Sequence, residues 1–224
     1  MQKTTRSLLP MNQTIKINEI FYSIQGESIF SGYPTVFIRL TGCPLRCQYC
    51  DTAYAFNKGN NLTILDIKKQ IESHNTPYIC VSGGEPLSQP MVHPLMTALC
   101  DQQFIVSIET SGALDISNID QRVHIIMDIK TPGSKESSKN LINNLAHLKL
   151  TDQLKFVICN EEDFHWSQQF IIDHDLKNKC PIWFSPSHEE MPASTLADLI
   201  LKYSAPVRLQ VQLHKFLWGN KPGC

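Results

Sequence analysis

The chain has 224 residues, 42% of them hydrophobic and 18% charged, and its 20 basic residues nearly cancel its 21 acidic ones. That composition excludes a disordered chain, the near-neutral balance removes the electrostatic footprint of a nucleic-acid binder, and no apolar run is long enough to span a bilayer. The N-terminus lacks the apolar stretch of a signal peptide, so a cytoplasmic protein is expected, in which eight cysteines point to metal binding or catalysis rather than disulfides.

Residues 1–12 are polar and without periodicity and read as an N-terminal extension; residues 13–224 read as one domain, a length sufficient for a single core. Short β-rich apolar runs then alternate with stretches of helical spacing. The first run is 36–40. Thr63 caps a helix that places Ile64, Ile67 and Ile71 on one face, with Asp66 three residues after the cap. Strands follow at 78–81, 104–108, 123–129, 154–159, 181–184 and 207–213, and helical stretches at 94–101, 138–148, 161–173 and 192–203. Such alternation implies right-handed crossovers and a parallel sheet. Six or seven units are fewer than the eight that close a barrel. The expected fold is therefore α/β, an open, partial β/α barrel with mostly parallel strands, with a doubly wound flat sheet as the alternative. Both place ligands at the carboxyl ends of the strands.

The strongest chemical signal follows the first run: Thr41-Gly42-Cys43-Pro44-Leu45-Arg46-Cys47-Gln48-Tyr49-Cys50-Asp51, three thiols spaced C-x3-C-x2-C. Glycine and proline turn the chain so that closely spaced sulfurs can converge. At this cysteine frequency such a triplet arises by chance roughly 0.01 times in a chain of this length. Three readings of it compete. Buried structural thiols are one. A zinc site is another, although zinc takes four ligands and the next cysteine, Cys80, is thirty residues on. The third is a four-iron, four-sulfur cluster, which normally takes four thiolates, so that three leave one iron open to an exogenous ligand.

The triplet resembles the signature of the radical S-adenosylmethionine (SAM) superfamily, with Tyr49 at its usual aromatic position. A second match is the run 78–81 leading into Ser82-Gly83-Gly84-Glu85-Pro86, which is similar to that superfamily's GGEP element; its glycines allow close backbone approach, and Glu85 with nearby carbonyls suits an ammonium group. The stretches 18–28 (NEIFYSIQGES) and 212–219 (QLHKFLWG), with Phe37-Ile38-Arg39-Leu40 and Cys50-Asp51-Thr52, narrow the resemblance to the 7-carboxy-7-deazaguanine synthase family, over nearly the whole chain from about residue 14.

The resemblance implies a radical SAM lyase that converts 6-carboxy-5,6,7,8-tetrahydropterin to 7-carboxy-7-deazaguanine with loss of ammonia, a step toward 7-deazapurines such as queuosine. It implies a 4Fe-4S cluster whose electron cleaves SAM to a 5′-deoxyadenosyl radical, a magnesium ion, an electron donor such as flavodoxin, and a homodimer. Residue by residue, Cys43, Cys47 and Cys50 match the cluster ligands and Thr52 the magnesium ligand, which suits a hard cation with few protein ligands. SAM contacts map to Tyr49, Cys50, Asp51, Gly84, Glu85, Glu109, Asp128, Ile129, Lys130, Ser185, Pro186, Ser187 and His188. Relatives commonly read Ser-Pro-Lys at 128–130, and 185–188 departs further from the family pattern. Substrate contacts map to Ile24, Gln25, Gly26, Glu27, Arg39, Ser82 and His214. Arg39 shares a strand face with Thr35, Phe37 and Thr41, and a charge there needs a partner, for which a bidentate carboxylate is suited. Read without the resemblance, Arg39 reaches solvent at the strand end, His214 packs in the core, and Thr52 is an ordinary loop hydroxyl. The remaining cysteines, Cys80, Cys100, Cys159, Cys180 and Cys224, read as spectators. Two rival functions stay open: a glycyl-radical activase within the same superfamily, and a non-catalytic iron–sulfur or zinc module.

Overall fold

The computed structural model describes residues 13–188, 190–219, 221 and 223; the extension expected over residues 1–12, and Cys224, lie outside them. Nine strands, β1 (Thr14–Ile24), β2 (Pro34–Leu40), β3 (Asn60–Thr63), β4 (Tyr78–Gly83), β5 (Ile105–Thr110), β6 (His124–Ile129), β7 (Gln153–Ile158), β8 (Ile182–Pro186) and β9 (Arg208–Leu209), form one sheet in the order β3-β1-β2-β4-β5-β6-β7-β8-β9. The β1 strand runs antiparallel to β2 and β3, and every pairing from β2 to β9 is parallel. The sheet does not close, as an open partial barrel requires.

Side-chain alternation divides the two faces of the sheet. Ile38, Leu40, Val81, Ile108, Met127, Ile129, Leu154, Phe156 and Phe184 are buried in one core. Helices α1 (Ile64–Ile71), α2 (Val92–Asp101), α3 (Glu161–Asp173) and α4 (Ala193–Lys202) add Ile67, Ile71, Leu95, Leu99, Phe164, Phe170, Leu196 and Leu199 to it. Intervening positions on the other face are polar toward the carboxyl ends: Arg39, Ser82, Glu109, Asp128 and Lys155 all open on one cleft. Two helix starts follow from their caps. Thr63 and Asp66 exchange hydrogen bonds in a capping box, and Asn160 accepts from the Asp163 amide at 2.8 Å.

Two expected elements differ. The stretch 138–148 forms only 3-10 turns. Its asparagines bond outward instead of supporting an α-helix: Asn140 exchanges hydrogen bonds with the Lys130 backbone, and Asn144 binds the backbone of Gly112, Leu114 and Ile116. The strand expected over 207–213 is two residues long, and the chain turns into helix α5 (Leu213–Trp218). Both β1 and β3 escape the sequence reading. In β1 the alternation of Ile15 and Ile17 changes parity before Ile20, because a register irregularity between Ile17 and Glu19 inserts Asn18 as a β-bulge.

Candidate functional site

The β2–β3 connection carries the three cysteines over the carboxyl ends of the parallel strands. Gly42, at φ +99°, makes the turn out of β2, and its carbonyl accepts from the Glu85 amide at 2.8 Å. A Cβ at Gly84 would lie 2.4 Å from the Gly42 oxygen and 2.6 Å from the Cys43 Cβ, so only glycine lets the loop after β4 sit this close to the cysteine loop. Gln89 ties the two loops further, donating to the carbonyls of Thr41 and Lys16. Cys43, Cys47 and Cys50 are each partly exposed and line one cleft of about 610 Å³. Burial pushes the Cys43 and Cys47 thiols up, with the Lys130 ammonium working against the shift.

Most of the residues singled out by sequence open on that cleft: Ile24, Gln25, Gly26, Glu27, Arg39, Tyr49, Asp51, Thr52, Ser82, Gly84, Glu109, Asp128, Lys130, Ser185, Pro186, Ser187, His188 and His214. Glu85 and Ile129 do not. Glu85 is fully buried, and its carboxylate accepts from the Thr110 hydroxyl, the Ser111 amide and hydroxyl, and the Leu87 amide. It fastens the end of β4 to the end of β5, whereas Gly83 and Gly84 beside it do line the cleft. Ile129 faces the opposite side of β6, in the core.

The polar groups in the cleft are cross-linked. Glu109 accepts from Ser82 Oγ at 2.9 Å and Gln25 Nε2 at 3.5 Å; Gln25 Oε1 accepts from the Glu27 amide. Glu27 Oε2 pairs with Lys155 Nζ at 2.6 Å, and Lys130 Nζ pairs with Asp128 Oδ2 at 2.9 Å beneath the Tyr49 ring. Burial, the largest single influence, works to lower both lysines, but the neighbouring negative groups, led by Glu27 at Lys155 and by Asp128 at Lys130, together outweigh it and hold them above the usual range. Burial also drives the Tyr49 phenol far up, so it remains protonated. His214 packs on Gly26, where a Cβ would meet its Nδ1 at 2.4 Å, and burial lowers its pKa. Arg39 is bound to Glu19 rather than open to solvent. Lys155, Glu19 and Tyr54 escaped the sequence reading. Lys155 carried the signal that exposed Arg39, a lone charge within an apolar strand.

Three buried polar atoms at the cleft, Glu27 Oε1, Tyr49 OH and Asp128 Oδ1, have no hydrogen-bond partner among the described residues. Buried polar groups are rarely left so, and these call for a polar ligand. Among the described residues no three His, Cys, Asp or Glu side chains close around a single ion, so the triplet's fit to a metal centre rests on its shared opening to the cleft. Thiol donors suit an iron–sulfur cluster, and three of them leave a position for a ligand from the cleft.

An open half-barrel with a three-thiol loop at its carboxyl end is the architecture of a radical SAM enzyme, and residues 37–134 match the radical SAM superfamily. Its fold is similar to that of QueE from Escherichia coli, with a TM-score of 0.75 at 22% identity over 90% of this chain and 95% of that one. The sequence is 41% identical to a 7-carboxy-7-deazaguanine synthase of Chlorobaculum tepidum over 92% of this chain and 94% of that protein. To one of Methanospirillum hungatei it is 39% identical, over 91% and 85%. The chain belongs to the 7-carboxy-7-deazaguanine synthase family. As a radical SAM lyase of that family it works with SAM at an iron–sulfur cluster in 7-deazapurine biosynthesis. No helix among the described residues is long and apolar enough to cross a membrane.

Proposed function

We propose that this enzyme converts 6-carboxy-5,6,7,8-tetrahydropterin to 7-carboxy-7-deazaguanine with release of ammonia. The observation that carries the reading is the placement of Arg39, Gln25, Glu27 and His214 in the same cleft as the three cysteines. Cys43, Cys47 and Cys50 would hold a 4Fe-4S cluster, and the Gly83–Gly84 backbone, Tyr49, Asp128 and Lys130 would receive SAM in the same cleft. When bound, such a cluster would supply one-electron reducing chemistry toward SAM.

The chain's own residues bind and orient. The Arg39 guanidinium receives the substrate carboxylate end-on through its Nη groups, the geometry in which arginine is most selective. Gln25 and Glu27 offer an amide and a carboxylate to the flat pterin edge, whose several donors suit the unpartnered Glu27 Oε1. Lys155 keeps that carboxylate oriented from its other oxygen. The lowered pKa of His214 keeps its ring neutral near physiological pH, able to accept a proton at one nitrogen. Thr52 lies 3.8 Å from the Cys50 sulfur and opens on the cleft, where its hydroxyl suits a magnesium ion shared with substrate oxygens. The reading also carries, from the family resemblance, an electron donor such as flavodoxin, a homodimeric state and a cytoplasmic site of action.

The test is an anaerobic assay of reconstituted protein with dithionite, SAM and the carboxytetrahydropterin. Brown protein, a new deazapurine absorbance and ammonia in equal amount are expected. A reconstituted protein that leaves the pterin unchanged, or one that is colourless and loaded with zinc, overturns the reading.

A further inference from the structure

Arg39 and Glu19 face each other because of one extra residue. Ile17 pairs with Leu40 and both point into the core. With regular alternation the next pair would be Asn18 and Arg39, and Glu19 would point into the core. Instead the register skips Asn18 and sets Glu19 opposite Arg39, on the cleft side of the sheet, two residues before the stacked pair Phe21 and Phe37. Bulges of this kind re-aim a side chain beside functional sites. The Asn18 amide group is held aside, donating to the Lys58 carbonyl at 2.9 Å.

The re-aimed carboxylate grips Arg39 at one point. Glu19 Oε1 accepts from Arg39 Nε at 2.8 Å, and the Tyr54 hydroxyl donates to the same oxygen at 2.8 Å. The guanidinium lies between the rings of Phe21 and Tyr54, 5.5 and 5.9 Å from their centroids. Among the described residues the hydrogen bonds of this side chain end at Nε. Its Nη1 and Nη2 edge is therefore the one available to a planar anion. Burial and the Glu19 contact raise the Tyr54 phenol to about 12, which keeps it a donor to the carboxylate.

We propose that Glu19 is a positioning residue. By holding Nε it sets the rotation of the Arg39 guanidinium, so that the Nη edge presents itself to the carboxylate of a bound substrate. The inference rests on the reading that Arg39 receives that carboxylate, and the experiment separates the two. Cluster-loaded protein with SAM is titrated with 6-carboxytetrahydropterin and with the same tetrahydropterin lacking the carboxylate, and the ratio of the two dissociation constants is the readout. Arg39→Ala is expected to erase the preference for the carboxylated ligand.

Glu19→Ala, and Glu19→Asp, which keeps the charge but not the reach to Nε, are expected to reduce that ratio about tenfold, the scale of one charge-assisted hydrogen bond. Glu19→Gln, whose amide oxygen still accepts from Nε, is expected to stay within about threefold of the unmutated protein, less than the loss of one such bond. In the Arg39→Ala background Glu19→Ala should change the ratio by less than about twofold, because the pair acts as one unit. The cluster absorbance and SAM binding should not change in any variant. A normal ratio in Glu19→Asp alongside a lost ratio in Arg39→Ala overturns the positioning role alone. An Arg39→Ala protein that still prefers the carboxylated pterin overturns the carboxylate reading beneath it.

Discussion

Replacing Lys155 by methionine removes one charge while keeping nearly the same length of side chain. Lys155 and Glu27 are each about 12% exposed, and their contact is 2.6 Å. Taking away the ammonium leaves the Glu27 carboxylate in the floor of the cleft with its second oxygen already unpartnered, and with Asp128 and Glu109 close enough to act on the same lysine. Breaking a buried pair from one side costs about 3–5 kcal/mol, and the residual exposure here reduces that to roughly 2–4 kcal/mol. For a chain of this size that is a fall in Tm on the order of 10 °C. Urea unfolding of the cluster-free protein under reducing conditions measures it directly. Lys155→Met combined with Glu27→Gln should recover at least about 1 kcal/mol, because the stranded charge is gone. If Lys155→Met unfolds within about 0.5 kcal/mol of the unmutated protein, the size of an ordinary surface change, the pair is not a structural tie of the cleft and the argument fails.

Gly84→Ala should fold but fail to assemble its cluster, since a methyl 2.4 Å from the Gly42 oxygen must push the cysteine loop outward; iron content and visible absorbance after reconstitution check this, and a fully brown protein would refute it. Thr52→Ala should lose most of its magnesium stimulation while SAM binding, followed by equilibrium titration, stays within about twofold, as expected where one of few protein ligands is removed. Asp163→Asn should destabilise by about 2 kcal/mol, because the buried carboxylate accepts from the Gly133 and Cys159 amides and the Thr131 hydroxyl, and an amide replaces one acceptor with a donor; an unchanged unfolding midpoint would refute it.

Where a segment's local chemistry and its environment agreed, the sequence was enough to read it. The cap at Thr63, the apolar runs of β4 to β8, and the cysteine spacing all belong to that group. It failed where contacts distant in sequence decide the conformation. Nothing near Asn140 or Asn144 announces that their side chains bind loops ten and thirty residues away. The parity change after Ile17 is visible in retrospect, yet only pairing with β2 shows that Glu19 rather than Asn18 meets Arg39. Glu85 is the instructive case among the site residues. Its motif signalled the cleft correctly, while its carboxylate proved to be a structural anchor, because three donors from Thr110 and Ser111 reach it first.

A sheet that stops before closing also has two rims. The outermost strands are the shortest: β3 has four residues, beginning with two exposed asparagines, and β9 has two, with the Arg208 guanidinium stacked on Trp183 one strand inward. Each covers only a short stretch of its neighbour, β3 residues 14–17 of β1 and β9 Trp183 and Phe184 of β8, so the rim strands themselves offer a second chain few free backbone groups.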